Sequence, residues 1–194
     1  MLAGERVLAA ASEPMERGHQ ERLAPLVQAL MRRAGSDFGA LDRIGVTVGP
    51  GSFTGLRVGL AFAKGLGLAL DRPVVGVGAL EALAASAGVD GLVAAAIDAR
   101  RGQLYLQVFA DGEALMAPDA VTLGEAVARL AELHRGGRAT LLGSGAPALS
   151  GLISDAVLLD RTAPDPVAVA RLAARSSTAA RPLYLRAPDA KLPA

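Results

Sequence analysis

The stretch IGVTVGPGSFTGLRVGLAFAKGLGLAL, residues 44–70, sets the expected architecture of this chain. Residues 44–48 are short and β-branched, the GPG turn at 49–51 breaks them, and nothing that follows forbids a helix. At the helical period, Arg57 and Lys64 fall on one side, and the other directions carry only apolar residues and glycine. A helix that is apolar nearly all round is covered on more than one side. We therefore expect it to pack on its own sheet and to need a further cover.

The composition excludes several kinds of site. The 194 residues include no cysteine, which excludes disulfides, thiolate metal sites and a cysteine nucleophile. The formal net charge of +1 lacks the basic excess of a bulk nucleic-acid binder. His19 and His134 are not spaced as metal ligands, so we expect no metal and no other cofactor. Because Arg57 and Lys64 interrupt the longest apolar run, we expect it to fall short of a membrane span, and we expect a cytoplasmic protein.

Strand and helix patterns alternate along the whole chain. The predicted strands are residues 6–11, 44–48, 74–77, 92–97, 103–109, 140–142 and 157–159. The predicted helices are residues 18–34, 56–70, 79–87, 123–133 and 167–176. Pro25 predicts a kink or a late start in the first helix. Polar and glycine residues at 88–91 predict a boundary between two α/β lobes, 1–88 and 89–194, the second ending in an extended tail.

The glycine turn at 49–55 allows two interpretations. Glycine turns between a strand and a helix can hold phosphate through backbone N–H groups and the helix N-terminus. Residues 49–55 match neither a Walker A loop nor the dinucleotide-binding fingerprint. A plain tight turn, with Ser52 or Thr54 capping the helix, is the favoured interpretation.

Small residues recur at every fourth position of the same helix, at Gly55, Gly59, Ala63 and Gly67. This spacing lets two backbones approach closely, either on the protein's own sheet or at the helix of another subunit. The missing polar face favours the second possibility. Leucine at position 59 is then expected to abolish pairing with that subunit.

The sequence VGPGSFTGLRVG, at residues 48–59, closely resembles the signature of the TsaB (YeaZ) family. Three further segments resemble the family in the same order along the chain. They are GHQERLAPL at 18–26, AIDARRGQLY at 96–105 and PLYLRAPDA at 182–190. Collinear matches from residue 2 to residue 190 are more specific than any one of them.

The resemblance implies a two-lobed α/β fold of the actin-like ATPase class (ASKHA, RNase H-like). It implies a non-catalytic subunit that supports the catalytic subunit TsaD, alongside the ATPase TsaE, in forming N6-threonylcarbamoyladenosine (t6A) in tRNA. The tRNA would be reached through the complex, and no membrane is implied. TsaB-like proteins use the first two helices both for TsaD and for self-association as homodimers. The expected interface residues are Leu23, Leu26, Gly55, Gly59, Phe62, Ala63 and Gly67.

The same resemblance leaves a rival function open. In the catalytic paralogue a histidine pair binds iron or zinc, whereas the corresponding segment here, GVGALEAL at 76–83, carries alanine and leucine instead. The rival is an ATPase or kinase that binds ATP between the lobes through the turn at 49–55 and Asp98. A turn and an interlobe salt bridge explain Asp98 and Arg100 more simply. The candidate residues near a nucleotide are Gly49, Gly51, Ser52, Asp98 and Arg100.

The beginning of the sequence departs from the family pattern. Family members open with a strand and an Asp-Thr turn, and that strand pairs with the one represented here by residues 6–11. We therefore expect the first strand of the first lobe to be missing, through a late start codon or a truncation, which leaves residues 6–11 as the second half of a hairpin without its first half. An upstream in-frame segment that ends in an apolar strand would test this expectation.

Overall fold

The computed structural model describes residues 1–13, 19–134 and 136–186. Its helices are α1 (His19–Ala34), α2 (Phe53–Leu70), α3 (Ala79–Ala85), α4 (Leu123–Leu133) and α5 (Pro166–Arg175). Its strands are β1 (Leu2–Ala3), β2 (Arg6–Val7), β3 (Ile44–Gly49), β4 (Val74–Gly78), β5 (Leu92–Arg100), β6 (Gln103–Ala110), β7 (Glu113–Ala114), β8 (Asp119–Thr122), β9 (Ala139–Leu142) and β10 (Ala156–Leu158). The predicted mixed α/β class is confirmed. Pro25 lies inside α1, which is already helical at His19, so the late start is not found.

The first strands differ from the prediction. β2 contains only Arg6 and Val7, and it pairs antiparallel with β1 across a turn in which Gly4 has a φ of +57°. The predicted strand over 6–11 is therefore too long, and the expectation that it lacks a hairpin partner is wrong. The additional strand of the family pattern stays a prediction.

The remaining strands form two sheets. β3 and β4 are parallel neighbours, with Ile44 opposite Val74. The larger sheet has the order β10-β9-β5-β6-β7, and β8 also pairs with β6. Its β5–β9 and β9–β10 pairs are parallel, whereas β5 and β6 form an antiparallel hairpin. The carboxyl ends of β3 and β5 carry the two turns that the sequence singles out, at 49–55 and at 98–102.

Helices from each half of the chain pack on the sheet of the other half. Leu80 and Leu83 of α3 are fully buried in a cluster with residues of β5 and β6. α5 comes from the C-terminal half but packs on β3 and β4, where Ala173 joins Val75 and Val77 in one buried cluster. Glycine at position 45 is needed for this packing, because a Cβ atom there would collide with the side chain of Ala173. The division at residues 88 and 89 stays a prediction.

α2 is longer and more apolar than its sequence pattern predicted. Within the described residues, it is a helix whose length and composition would let it cross a membrane, and only 22% of it is buried. The expectation that this run falls short of a span is wrong by that measure. One such helix is weak evidence for a membrane. Leu56 and Leu60 are buried on one face of α2, whereas most of the remaining residues of the helix are not.

α4 begins with a capping box. The Thr122 hydroxyl accepts a hydrogen bond from the Glu125 backbone N–H at 3.3 Å. In return, the Glu125 carboxylate accepts from the Thr122 backbone N–H at 2.7 Å and from its hydroxyl at 2.8 Å. The hydrogen bond from the Thr122 backbone N–H has the larger effect, and together with the one from the hydroxyl it lowers the pKa of Glu125 from its ordinary value of 4.5. The carboxylate therefore contributes stability that is fully present above pH 4.5 and is lost as the pH falls through the lower folded pKa.

We expect Glu125→Gln to make the free energy of unfolding less sensitive to acid. Glutamine does not titrate, so the variant lacks this contribution and loses less stability than the wild-type chain below pH 4.5. Urea unfolding at a series of pH values measures the difference. Glu132→Gln, an exposed position of the same helix outside the capping box, is the control. If the free energy of unfolding falls equally with acid for the wild-type chain and for Glu125→Gln, the lowered pKa of Glu125 does not contribute to stability.

Candidate functional site

α2 starts and stops at well-formed caps. Ser52 is the N-cap residue, and its hydroxyl oxygen accepts a hydrogen bond from the Gly55 N–H at 3.4 Å. At the other end, Asp71 adopts a left-handed conformation with a φ of +53°, and its N–H points to the carbonyls of Gly67 and Leu68. The favoured interpretation of the turn, in which Ser52 caps the helix, is confirmed.

One face of α2 is covered by the chain's own strands. Leu60 packs with Val48 and with the partly buried Val46 and Val74. A Cβ atom at Gly67 would collide with the Val74 side chain and would lie 2.9 Å from the Arg72 carbonyl oxygen. Glycine is therefore required at position 67 because the chain passes close to it as it returns into β4. The buried residues of α2 are Leu56, Leu60, Ala63 and Gly67.

The small residues predicted as an interface turn largely inward. Ala63 and Gly67 are buried, and Gly55 and Gly59 are partly covered. A Cβ atom at Gly59 would lie 3.9 Å from the Val46 side chain, so leucine there would first affect the packing of α2 on β3. The alternative explanation, close packing on the protein's own sheet, accounts for Ala63 and Gly67.

The predicted interface also includes three larger residues. Leu23 and Leu26 of α1 and Phe62 of α2 are all half-buried. α1 packs against α2, so these side chains lie on two neighbouring helices. Their contact with a partner stays a prediction.

A second face of α2, about 90° around the axis from the buried one, is open to solvent. At 3.6 residues per turn, five exposed residues fall within about 80° of one another around the axis and span about 22 Å along it. Leu68 is 87% exposed, and Phe53 is 46% exposed. Of the α2 residues predicted as an interface, only Gly67 lies beside this row, about 40° around the axis from Phe53, although the row's spacing of 4, 4, 3 and 4 would have shown it. We call this row the exposed α2 stripe, and its members are Phe53, Arg57, Ala61, Lys64 and Leu68.

An aromatic and cationic stack lies at the N-terminal end of the exposed α2 stripe. The ring centroids of Phe53 and Tyr184 are 5.4 Å apart, with the planes inclined by 36°. The guanidinium carbon of Arg57 lies 3.7 Å from the centroid of the Phe53 ring, a cation–π geometry. Both rings are nevertheless 46% exposed. At the other end of the stripe, beside Leu68, a groove of about 460 Å³ opens.

Tyr184 is held in place by a segment that we call the tail strap, residues 176–186. The strap passes the edge of β4, the carboxyl end of β3 and the β5–β6 hairpin, so it contacts both sheets. Ala179 forms an isolated antiparallel bridge with Val75. The hydrogen bonds that fix the strap run from the Gly76 N–H to the Thr178 carbonyl (2.8 Å), from the Leu183 N–H to the Val48 carbonyl (2.8 Å), and from Arg186 Nη1 to the Ala99 carbonyl (2.7 Å).

The tail strap explains why the turn begins with glycine. Gly49 has a φ of +108°, and a Cβ atom there would lie 2.9 Å from the Leu183 carbonyl oxygen and 3.0 Å from Leu56 Cδ1. The close backbone approach that requires glycine is therefore made by the chain itself. A carbonyl oxygen at this position also repels an anion. Of the other candidate nucleotide neighbours in the turn, Gly51 is exposed with open space beside it, and Ser52 is used as the helix cap.

Asp98 and Arg100 form the turn at the end of β5. Asp98 Oδ1 accepts a hydrogen bond from the Arg100 backbone N–H at 2.8 Å, and the Asp98 N–H donates to the Ser144 hydroxyl at 3.1 Å. Arg100 is left-handed, with a φ of +62°. The predicted turn is confirmed, whereas the interlobe salt bridge and the contact with a nucleotide stay predictions.

The segment 76–83, which the resemblance sets against the metal site of the catalytic paralogue, is part of the core. Leu80, Ala82 and Leu83 are fully buried, so the positions face other apolar side chains. The described residues contain no group of three histidine, aspartate or glutamate side chains that could hold a metal ion. His134 ends α4, where its Nε2 lies 2.7 Å from the Gly137 carbonyl oxygen, while the side chain of His19 lies outside the described structure.

Comparisons with known proteins place the chain in a family. A family model described as TsaD, tRNA N6-adenosine threonylcarbamoyltransferase, matches residues 11–163. The solved structure of YeaZ from Pseudomonas aeruginosa superposes with a TM-score of 0.75 at 30% identity, covering 89% of this chain and 87% of that chain. The protein TsaB of Bacillus subtilis, named for tRNA threonylcarbamoyladenosine biosynthesis, is 37% identical over 110 residues. The chain belongs to the TsaB (YeaZ) family.

The extent of these matches differs between relatives. The alignment with TsaB of Bacillus subtilis covers 56% of this chain and 48% of that protein. An uncharacterized protein of Mycobacterium tuberculosis, Rv3421c, is 38% identical over 192 residues, which are 98% of this chain and 83% of the relative. The resemblance to the TsaB family is thus confirmed, and the family relationship extends over nearly the whole sequence.

Proposed function

We propose that this TsaB-family chain is an accessory subunit of t6A formation that has no active site of its own. It binds the catalytic subunit TsaD and supports the transfer of threonylcarbamoyl to an adenosine of tRNA, which it reaches through the complex. The names of the TsaB relatives, which refer to threonylcarbamoyladenosine biosynthesis, support the pathway. We also propose that the protein is cytoplasmic and has the two-lobed ASKHA architecture, with the lobes divided between residues 88 and 89.

The observation that carries the binding role is the surface of α2. This helix has 18 residues, only 22% of it is buried, and Leu68 is almost fully exposed. A contiguous apolar patch that stays open on one protein marks a site for another molecule. We place TsaD against the first two helices, α1 and α2, and TsaE elsewhere in the same complex. Self-association through the same helices is the competing use of this surface.

Reconstitution tests the proposed function. Purified TsaD, TsaE and tRNA, with threonylcarbamoyl adenylate as donor, are incubated with and without this chain, and t6A is quantified in the digested tRNA. We expect t6A formation to depend on the chain, and calorimetry to show that the chain binds TsaD from the same organism. Equal t6A yields in both reactions, with no heat of binding to TsaD, would refute the accessory role.

The rival function, an ATPase or kinase, predicts a nucleotide site in this chain. We expect calorimetry with ATP and Mg²⁺ to show no binding in the micromolar range. The reasons are that the Leu183 carbonyl lies beside Gly49 and that Asp98 is engaged in its own turn. Micromolar binding that Asp98→Ala abolishes would favour the rival instead.

A further inference from the structure

Arg161 is a cation whose side chain has no partner in the described part of the chain. Its Nε atom is shielded from solvent, and it is the one buried side-chain nitrogen or oxygen among the described residues that forms no hydrogen bond. The guanidinium forms no ion pair with a described residue either. Buried donors are nearly always paired, so this N–H indicates an acceptor that is supplied by water or by a bound molecule.

A pocket of about 340 Å³ opens beside Arg161, and we call it the Arg161 pocket. Its other polar lining residues are Ser12 and Asp165. One water takes up about 30 Å³, so the pocket has room for a small organic molecule. The rest of the wall is alanine and proline, whose side chains offer that molecule no hydrogen bond. These apolar lining residues are Ala10, Ala11, Ala163, Pro164 and Pro166.

The walls of the Arg161 pocket are fixed by contacts with other parts of the fold. On one side, the β1–β2 hairpin packs on α5, and Glu5 in its turn forms ion pairs of 3.5 and 3.7 Å with two arginines of that helix. On the other side, the Arg161 carbonyl accepts a hydrogen bond from the Gly143 N–H at 2.8 Å. The Asp165 N–H donates to the Ser86 hydroxyl, also at 2.8 Å. The pocket is therefore formed before any molecule enters it.

Asp165 gives the same pocket a negative group. Its Oδ1 accepts the N-cap hydrogen bond of α5 from the Val167 N–H at 2.7 Å, which fixes the carboxylate. Arg161 and Asp165 line one pocket without forming an ion pair. A phosphate or a dicarboxylate would place a second anionic group beside Asp165, which is unfavourable. A molecule that carries both a carboxylate and an ammonium group complements both residues.

We propose that the Arg161 pocket binds a free α-amino acid with a small apolar side chain. The ligand's carboxylate accepts hydrogen bonds from the Arg161 guanidinium, including the buried Nε–H, in the two-point geometry that arginine forms with carboxylates. Its ammonium group faces Asp165, and its side chain faces the alanine and proline wall. The site is separate from α2 and from the proposed contact with TsaD, so either proposal can fail without the other.

Four small molecules test the chemistry of the site on the unchanged full chain, by NMR titration of the isotopically labelled protein. They are L-alanine, propionate, which lacks the ammonium group, ethylamine, which lacks the carboxylate, and inorganic phosphate. We expect L-alanine to shift the Arg161 Nε–H signal and the amide signals of Ser12 and Asp165. Propionate and ethylamine should bind about tenfold more weakly or worse. Phosphate that binds as tightly as L-alanine would overturn the inference, and so would the absence of any shift with L-alanine, which would leave water as the acceptor.

Two variants assign the two charged groups. Arg161→Met keeps an unbranched side chain but removes the donors, so we expect it to raise the Kd for L-alanine by about tenfold or more. Asp165→Asn keeps an N-cap acceptor and removes the charge. It should raise the Kd for L-alanine by about tenfold and leave propionate binding unchanged or tighter.

The control is Arg138→Met, which removes an exposed cation at the other end of the β9–β10 pair and should leave the Kd for L-alanine unchanged. Unchanged thermal unfolding of each variant shows that the fold is retained. If folded Arg161→Met and Asp165→Asn both bind L-alanine as the wild-type chain does, the amino acid binds elsewhere and the inference is wrong.

Discussion

Leu68→Asp is expected to weaken the binding of this chain to TsaD by about a hundredfold while leaving the chain folded. Leu68 is 87% exposed, so the fold loses almost no packing when the side chain changes. In the complex, the substitution replaces an apolar contact by a carboxylate, which would be desolvated beside the exposed Asp71 of the same groove. A buried charge without a partner is among the costliest changes at an interface.

The matched control for this variant is Leu152→Asp. Leu152 is 52% exposed and lies in the turn between β9 and β10, away from α2 in the chain. The same change of charge and volume there should not alter the Kd for TsaD. Calorimetry gives the Kd, and circular dichroism shows whether each variant is folded. Tight binding by a folded Leu68→Asp variant would exclude this face of α2 as the contact.

Gly67→Ala is expected to lower the free energy of unfolding by about 2 kcal/mol, because the new methyl group overpacks the junction between α2 and β4. The Cβ atom would collide with the Val74 side chain and would lie 2.9 Å from the Arg72 carbonyl oxygen, so backbone as well as side chain must shift. The usual gain from replacing a helical glycine by alanine offsets only part of this cost.

Gly65→Ala isolates that gain on the same helix. A Cβ atom at position 65 would have no other atom within 4 Å, so we expect a stabilisation of up to about 1 kcal/mol. Urea unfolding of both variants gives the two free energies. Equal effects at the two positions would mean that Gly67 is not required by packing. Because Gly67 lets the chain return closely from α2 into β4, Gly67→Ala should also disturb the end of α2 and weaken TsaD binding.

The strand, turn and helix at 44–70 could be predicted because they depend on local chemistry. β-Branched residues favour β3, glycine ends it, and Ser52 can cap the helix that follows. The direction in which the small residues face could not be predicted, because a glycine row looks the same whether the close neighbour belongs to the same chain or to another. Gly67 resolves this ambiguity, since its neighbours are Val74 and Arg72 of the same chain.

Contacts between distant parts of the sequence were not predictable from local patterns. The packing of α5 on β3 and β4 depends on Gly45 and Ala173, which are far apart in the chain. The tail strap follows from hydrogen bonds of backbone groups, which every residue carries and no motif marks. The sequence likewise left a phosphate turn at Gly49 open as the less favoured interpretation, and it could not show that the Leu183 carbonyl lies beside this glycine.

α5 and the tail strap pack on the β3–β4 sheet, and this affects the order in which the protein can fold during synthesis. β3 and β4 gain α5, one of the helices that cover them, and the hydrogen bond from the Gly76 N–H to the Thr178 carbonyl only from residues beyond 165. Translation needs several seconds to add that length of chain. Until then Val75 and Val77 lack the cover that Ala173 of α5 gives them, so the β3–β4 sheet can complete its packing only after most of the chain has been made.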